Sequence, residues 1–165
     1  CRKPIIGAAQ GLCLTIGIEM LLSFDIRIAA TGTRFGQIEI KRGIFPFGGG
    51  TFRWVSNVGW GNAMRYLLTA DELEATEAHR IGLIQEVVPV ERLLPRALEL
   101  AERVAAQAPL GVQETLQSAH HSIVASEQAA VAKLGPALRR IMATEDAQEG
   151  VASFLERRAG HFKGR

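Results

Sequence analysis

The chain is poor in residues that whole classes of function depend on. It holds only two cysteines, Cys1 and Cys13, too few for a disulfide framework. Cys13 lies in an apolar loop with no basic residue nearby in sequence. It reads as a small buried hydrophobe rather than a nucleophile. None of the histidines is spaced to share a metal: His120 and His121 are adjacent and point apart on a helix, and His79 and His161 stand alone, so no metal is expected. No apolar run approaches the ~18 residues of a membrane span. Charge of one sign is also missing. The formal net charge is +2, and the arginines at 139–140 and 157–158 alternate with acids, which argues for a solvated face rather than a nucleic-acid partner. The glycines at 48–50 are not followed by Gly-Lys-Ser/Thr, which excludes a phosphate loop of that type.

What is present is an ordinary globular balance, 47% hydrophobic and 22% charged over 165 residues, enough for one domain with a sizeable core. The stretch from Ala8 to Ala30 organises it. Ile5–Ala9 reads as a short strand closed by Gln10-Gly11, Ile16–Phe24 as a helix with Glu19 interrupting its apolar face, and Asp25–Ala30 as a second strand. A helix opening near Ile16 aims unpaired backbone N–H groups into the preceding loop. Those donors favour negative charge, bound or developing. With Glu19 one turn in, the stretch has the parts of a reaction centre, an oxyanion donor beside a carboxylate.

Further along, Thr31-Gly32-Thr33 is a turn and Arg34–Ile38 a brief strand, with Glu39 at its end or in the next turn. Thr51 caps a helix over Phe52–Val58 that Gly59 ends, and Ala63–Thr69 and Leu73–Ile81 are two more, the last closed by Gly82. Leu83–Val88 is a strand halted by Pro89. Beyond it the pattern turns helical: Val90–Gln107, then a helix opening on Pro109 and reaching about Val124. A long helix follows from Ser126 to about Ala143, kinked at Gly135-Pro136, and a last one, Ala147–Arg157, is capped at Thr144. The expected division is an α/β region, 1–89, and a helical region, 90–165.

An ordered set of segments resembles the crotonase superfamily of enoyl-CoA hydratases and isomerases. The segments are Lys3-Pro-Ile-Ile-Gly-Ala-Ala-Gln-Gly, Gly17-Ile-Glu, Asp25-Ile-Arg-Ile-Ala, Phe35-Gly-Gln-Ile-Glu39, Gly43-Ile-Phe-Pro and Gly48-Gly-Gly-Thr51. The likeness continues through Ala63-Met64, Leu68-Thr69 and Ala78–Val88 to Phe162-Lys-Gly-Arg165. The resemblance implies the crotonase-like (ClpP/crotonase) fold, a ββα spiral core followed by C-terminal helices that assemble a trimer or a dimer of trimers. The chain opens on Cys1 rather than methionine, and similar crotonases carry further strands and helices before this point. It is therefore expected to be the rear two-thirds of a longer protein, with little activity of its own because one oxyanion donor would come from the front.

The resemblance also assigns roles. Glu19 would orient water and Glu39 would exchange the α-proton of an enoyl-CoA thioester. Chemistry gives a reason for a pair: hydration needs one carboxylate to activate water and a protonated one to supply the proton. Carboxyl groups sharing a dry pocket resist ionising together, which keeps one protonated. The amides of Ile16 and Phe47 would serve as oxyanion and water-holding donors. Family members often carry glycine at both positions, so the β-branched Ile16 is expected to reshape the acyl pocket. Leu14 and Phe45 would line the substrate site, with Phe52 as a further wall, and Phe162 and Lys163 would meet the CoA bound to a neighbouring subunit. The expected activity is reversible hydration of a trans-2-enoyl-CoA in fatty-acid β-oxidation, in the cytoplasm, with no cofactor beyond the CoA of the substrate and with no nucleic-acid or membrane partner. The alternatives are isomerase, hydrolase or lyase chemistry on a CoA ester, or a non-catalytic assembly subunit.

Overall fold

A computed structural model describes residues 1–42, 44–124 and 136–165. They form two compact units, one of Ile5–Leu100 and one of Cys1–Pro4 with Ala101–Arg165.

In the first unit the strands are β1 (Ile6–Ala9), β2 (Leu12–Leu14), β3 (Ile26–Ala30), β4 (Arg34–Gly36), β5 (Leu73–Glu74) and β6 (Glu86–Val88). The helices are α1 (Ile16–Leu21), α2 (Gly50–Thr69), α3 (Ala75–Arg80) and the start of α4 (Val90–Ala105). The chain alternates between two sheets. β1-β3-β6 is wholly parallel, with Ile6 opposite Ile26 and Ile28 opposite Glu86. In β2-β4-β5 the first pair is parallel and the second antiparallel. Two strands in different sheets followed by a helix is the repeating ββα turn of the expected spiral. The crossovers from β1 to β3, from β2 to β4 and from β3 to β6 each return a parallel strand, and only β5 returns antiparallel, to β4.

The helix α2 packs its Trp54, Val58 and Leu67 into the main core with Phe35, Ile18, Leu83 and Ile84. A second cluster forms where Leu93, Ala97 and Leu100, one stripe of α4, cover Ile28 and Ala30 of β3. This unit buries one cation, Arg27, among its described residues. Arg27 donates through Nε to the Leu83 carbonyl at 2.7 Å, through Nη1 to the Phe24 carbonyl at 2.9 Å and through Nη2 to Asn57 Oδ1 at 2.7 Å. Burial lowers its pKa from the usual arginine value, and Asp25 opposes that shift.

Three sequence expectations are corrected here. Cys13 is not in a loop but in β2, paired opposite Phe35; three residues are too short a run to show a strand period. Thr51 does not cap α2. Gly49 does, at φ 106°, and the two expected helices are one element, broken locally at Gly59 (φ 76°, ψ 163°), a backbone conformation that only glycine reaches easily. The third expected helix starts two residues late, because Leu73 and Glu74 pair with Phe35 and Arg34 as β5. Main-chain pairing with β4 overrides the helical pattern there.

In the second unit, α4 gives way to α5 (Pro109–Val124), a helical stretch over 136–142 that we term α6, and α7 (Glu145–Glu156). α5 has the bounds its opening proline implies. Thr144 caps α7, its hydroxyl accepting from the Ala147 amide at 3.1 Å. The expected helix start at Ser126 and Gly135 of the expected break lie outside the described residues, and Pro136 stands at the first described position of α6. The last residues fold back on α7. Asp146, 3% exposed, accepts from the amides of Lys163 at 2.6 Å and Gly164 at 2.8 Å. The segment before Ile5 joins this unit through Arg2, which donates to Gln113 Oε1 at 2.7 Å.

Candidate active site

The site is built on the turn between β2 and α1. Thr15 donates its amide to the Gly36 carbonyl at 2.9 Å, and its carbonyl accepts from the amides of Ile18 and Glu19, each at 3.1 Å. These bonds start α1 at Ile16. As the first helical residue, Ile16 has no carbonyl one turn back, and among the described residues no acceptor takes its N–H. Backbone strain does not fall on the β-branched Ile16. It falls on Thr15, held at φ 51°, ψ −119°, a conformation costly for any residue with a Cβ. The Ile16 side chain itself is 59% exposed.

Glu19 is 3% exposed. Both of its carboxylate oxygens accept from the Gly48 amide at 3.1 Å, and Oε1 also accepts from the Gly50 amide at 2.8 Å. The glycine run makes this approach possible. A Cβ on Gly48 would collide with Glu19 Oε2, and one on Gly50 would stand 2.8 Å from Glu19 Oε1 and 3.3 Å from Gln37 Cδ.

Gln37 leads to the second acid. Glu39 opens a 3-10 turn, Glu39–Arg42, that bends the chain after β4 and turns its side chain inward, leaving it 8% exposed. Its Oε1 accepts from Gln37 Nε2 at 2.8 Å. Its Oε2 is buried without a hydrogen-bond partner among the described residues. Two buried carboxylates thus stand on either side of Gly50 and Gln37, one saturated by backbone amides and one with an oxygen to offer. A buried acceptor with no partner is costly.

The other predicted residues are placed as follows. Phe47 is 76% exposed, and among the described residues its amide has no acceptor; the amides that reach Glu19 are those of Gly48 and Gly50 instead. Phe45 is exposed and meets Phe47 edge to face, ring centroids 6.5 Å apart. Phe52 is also exposed, with the Arg53 guanidinium 5.2 Å over its ring. Leu14 is half-buried beside Gly36. Phe162 and Lys163 belong to the other unit, where Phe162 lies against Gly160 and Lys163 is held through its amide by Asp146. Burial raises the Cys13 thiol to about 11, which keeps it protonated and unreactive at neutral pH. Sequence reasoning missed Gln37 as the partner of Glu39 and Trp54 as the partner of Gln37. The signal was a glutamine two residues before the acid.

Comparison with known proteins follows this geometry. The sequence pattern described as enoyl-CoA hydratase/isomerase matches residues 1–165. The chain is 39% identical over 161 residues to a crotonyl-CoA hydratase of Syntrophomonas wolfei, covering 98% of this chain and 62% of that protein. It is 37% identical over 164 residues to a 2,3-dehydroadipyl-CoA hydratase of Escherichia coli K12, covering 99% of this chain and 64% of that protein. In structure it is similar to a probable enoyl-CoA hydratase/isomerase from Mycobacterium abscessus, with TM-score 0.97 and 48% identity over 99% of this chain and 63% of that one. The chain therefore spans less than two-thirds of the length of these relatives.

Proposed function

The chain belongs to the enoyl-CoA hydratase/isomerase family of the crotonase superfamily, and on that premise we propose that it hydrates a trans-2-enoyl-CoA thioester reversibly. The observation that carries this reading is the pair of buried carboxylates, Glu19 and Glu39, beside an N–H at Ile16 with no acceptor among the described residues.

In the proposed reaction the Ile16 amide donates to the thioester oxygen. Glu19, held by the Gly48 and Gly50 amides, takes a proton from water as the water oxygen bonds to the β-carbon. The π electrons of the double bond pass into an enolate, whose charge collects on the oxygen that Ile16 faces. Glu39 passes its proton to the α-carbon, and the enolate electrons form that C–H bond. The proton gained at Glu19 balances the one lost at Glu39, and exchange with water resets both. Leu14, Phe45 and Phe47 line the acyl side, and Phe162 and Lys163 contact the CoA bound to a neighbouring subunit. The step adds the elements of water across the double bond with no net oxidation or reduction, so the chemistry calls for no cofactor beyond the CoA of the substrate.

A second reading, double-bond isomerisation through the same enolate, draws on the asymmetry of the two acids. Glu19 is occupied by three amide contacts while Glu39 has a free oxygen, and isomerisation needs only one carboxylate to move a proton.

The proposal extends to assembly as a trimer or dimer of trimers and to a cytoplasmic role in fatty-acid β-oxidation. Ile123, Leu138, Met142, Val151 and Leu155 of the helical unit are each more than half exposed. Apolar residues in that number suit a surface covered by another copy. Among the described residues, no helix is long and apolar enough to cross a membrane.

The test is the loss of enoyl absorbance by the full-length protein on crotonyl-CoA and longer 2-enoyl-CoA esters, with 3-enoyl-CoA as the isomerase arm. Glu19→Gln and Glu39→Gln should each lower kcat by about 10²-fold or more. Parental rates in both variants would remove the carboxylate assignment. An inert parent would favour an assembly subunit.

A further inference from the structure

The carboxamide of Gln37 sits between Glu39 and Trp54, and both Gln37 and Trp54 are fully buried. The indole N–H of Trp54 donates to Gln37 Oε1 at 3.1 Å, and Gln37 Nε2 donates to Glu39 Oε1 at 2.8 Å. An indole nitrogen only donates, so it accepts just one orientation of the carboxamide. The carbonyl faces Trp54 and the NH2 faces Glu39. The reversed group would set N–H against N–H on one side and oxygen against oxygen on the other. Trp54 is itself held, stacked at a tilt on Tyr66 with ring centroids 5.9 Å apart.

Resting on the enolate reading above, we infer that Trp54 is a positioning residue for Glu39, acting through Gln37 to decide which carboxyl oxygen carries the exchanged proton. A neutral carboxyl group keeps an N–H bond best at its carbonyl oxygen. With Gln37 donating to Oε1, the proton resides on Oε2, the buried oxygen with no partner among the described residues. One proton then moves between Glu39 Oε2 and the substrate α-carbon: off the acid in hydration, onto it in dehydration. Without the indole N–H, the Gln37 carboxamide is free to turn over. A carbonyl then faces Glu39 part of the time, drawing the proton to Oε1 and away from the substrate.

The experiment compares kcat and KM for crotonyl-CoA hydration, with thermal unfolding, in the full-length parent and, in the same full-length background, Trp54→Phe, Gln37→Met, the double variant, Gln37→Glu and Glu39→Gln. Trp54→Phe should lower kcat roughly tenfold with KM within about twofold. Because Trp54 acts through Gln37, the double variant should be no slower than Gln37→Met alone. Gln37→Glu keeps the shape and the indole bond but turns an oxygen toward Glu39. It opens no cavity, so it reads the same contact even if Trp54→Phe does not fold, and it too should lose kcat. Parental kcat in Trp54→Phe or Gln37→Glu, or losses that multiply in the double variant, would overturn the positioning role. With Glu39→Gln inactive in the same assay, the hydration reading would still stand. A parent inert on every 2- and 3-enoyl-CoA would overturn both.

Discussion

The amide of Gly50 donates to Glu19 Oε1 at 2.8 Å across 31 residues of sequence. The bond joins the first turn of α2 to the middle of α1, and it places a helix N-terminus against a buried carboxylate. A glycine run that reads in sequence as a loop is in fact the cradle of a candidate catalytic acid.

Substituting that cradle should separate folding from catalysis. Gly50→Ala puts a methyl 2.8 Å from Glu19 Oε1 and 2.9 Å from Pro46 Cβ, so we expect a loss of about 1–3 kcal/mol in urea unfolding and a fall in kcat of tenfold or more (about 10²-fold for a misplaced group). Gly17→Ala is the folding control. Its nearest neighbour would be Cys13 Sγ at 3.7 Å, an ordinary contact, and stability should stay within about 0.5 kcal/mol of the parent.

Thr15 carries backbone strain at φ 51°, ψ −119°. Thr15→Gly should relieve it and raise stability by about 1 kcal/mol, after the extra unfolded-state freedom of glycine is subtracted. The measurement is the urea midpoint at constant m-value. An unchanged or lower midpoint would show that the turn is not strained in solution.

Arg27 satisfies three acceptors in three directions. Arg27→Met should cost about 3 kcal/mol, because the carbonyls of Leu83 and Phe24 and the Asn57 side chain lose their donor. Arg27→Lys should recover only part of that, since a single ammonium cannot reproduce the fork of a guanidinium. Full recovery in the lysine variant would mean that charge alone matters at this position.

Acid sensitivity should be traceable to Glu77. Arg80 donates to it at 2.6 and 2.7 Å, and the Tyr66 hydroxyl does so at 3.0 Å. The arginine contact, more than the tyrosine, holds the Glu77 carboxyl well below its ordinary 4.5, at about 2. The folded pKa is depressed, so the stabilisation is present above 4.5 and is lost as pH falls toward 2. The stability gap between the parent and Glu77→Gln should be constant near neutrality and close between these limits. A gap that persists at pH 2 would point to packing rather than charge.

Local pattern carried much of the architecture. Apolar runs and their punctuation located β1, β3 and β6, the proline at 109 opened α5, and helical spacing over Val90–Gln107 gave α4, but the face of α4 that reaches the core is Leu93, Ala97 and Leu100, while Leu94 and Leu98 are more than half exposed. Ordered segments such as Phe35-Gly-Gln-Ile-Glu39 and Gly48-Gly-Gly-Thr51 were enough to name the family, because residue type and spacing are properties of the chain itself. Tertiary contact decided the rest. β2 and β5 are strands only because β4 lies between them, and two or three residues hold no period of their own. Strain fell on Thr15 rather than Ile16 because the bond to Gly36 fixes where α1 begins. Which amides hold Glu19, and which side chains hold Glu39, depend on segments far apart in sequence folding against one another. A hydrogen bond is a matter of distance in space, and spacing along a chain does not contain it.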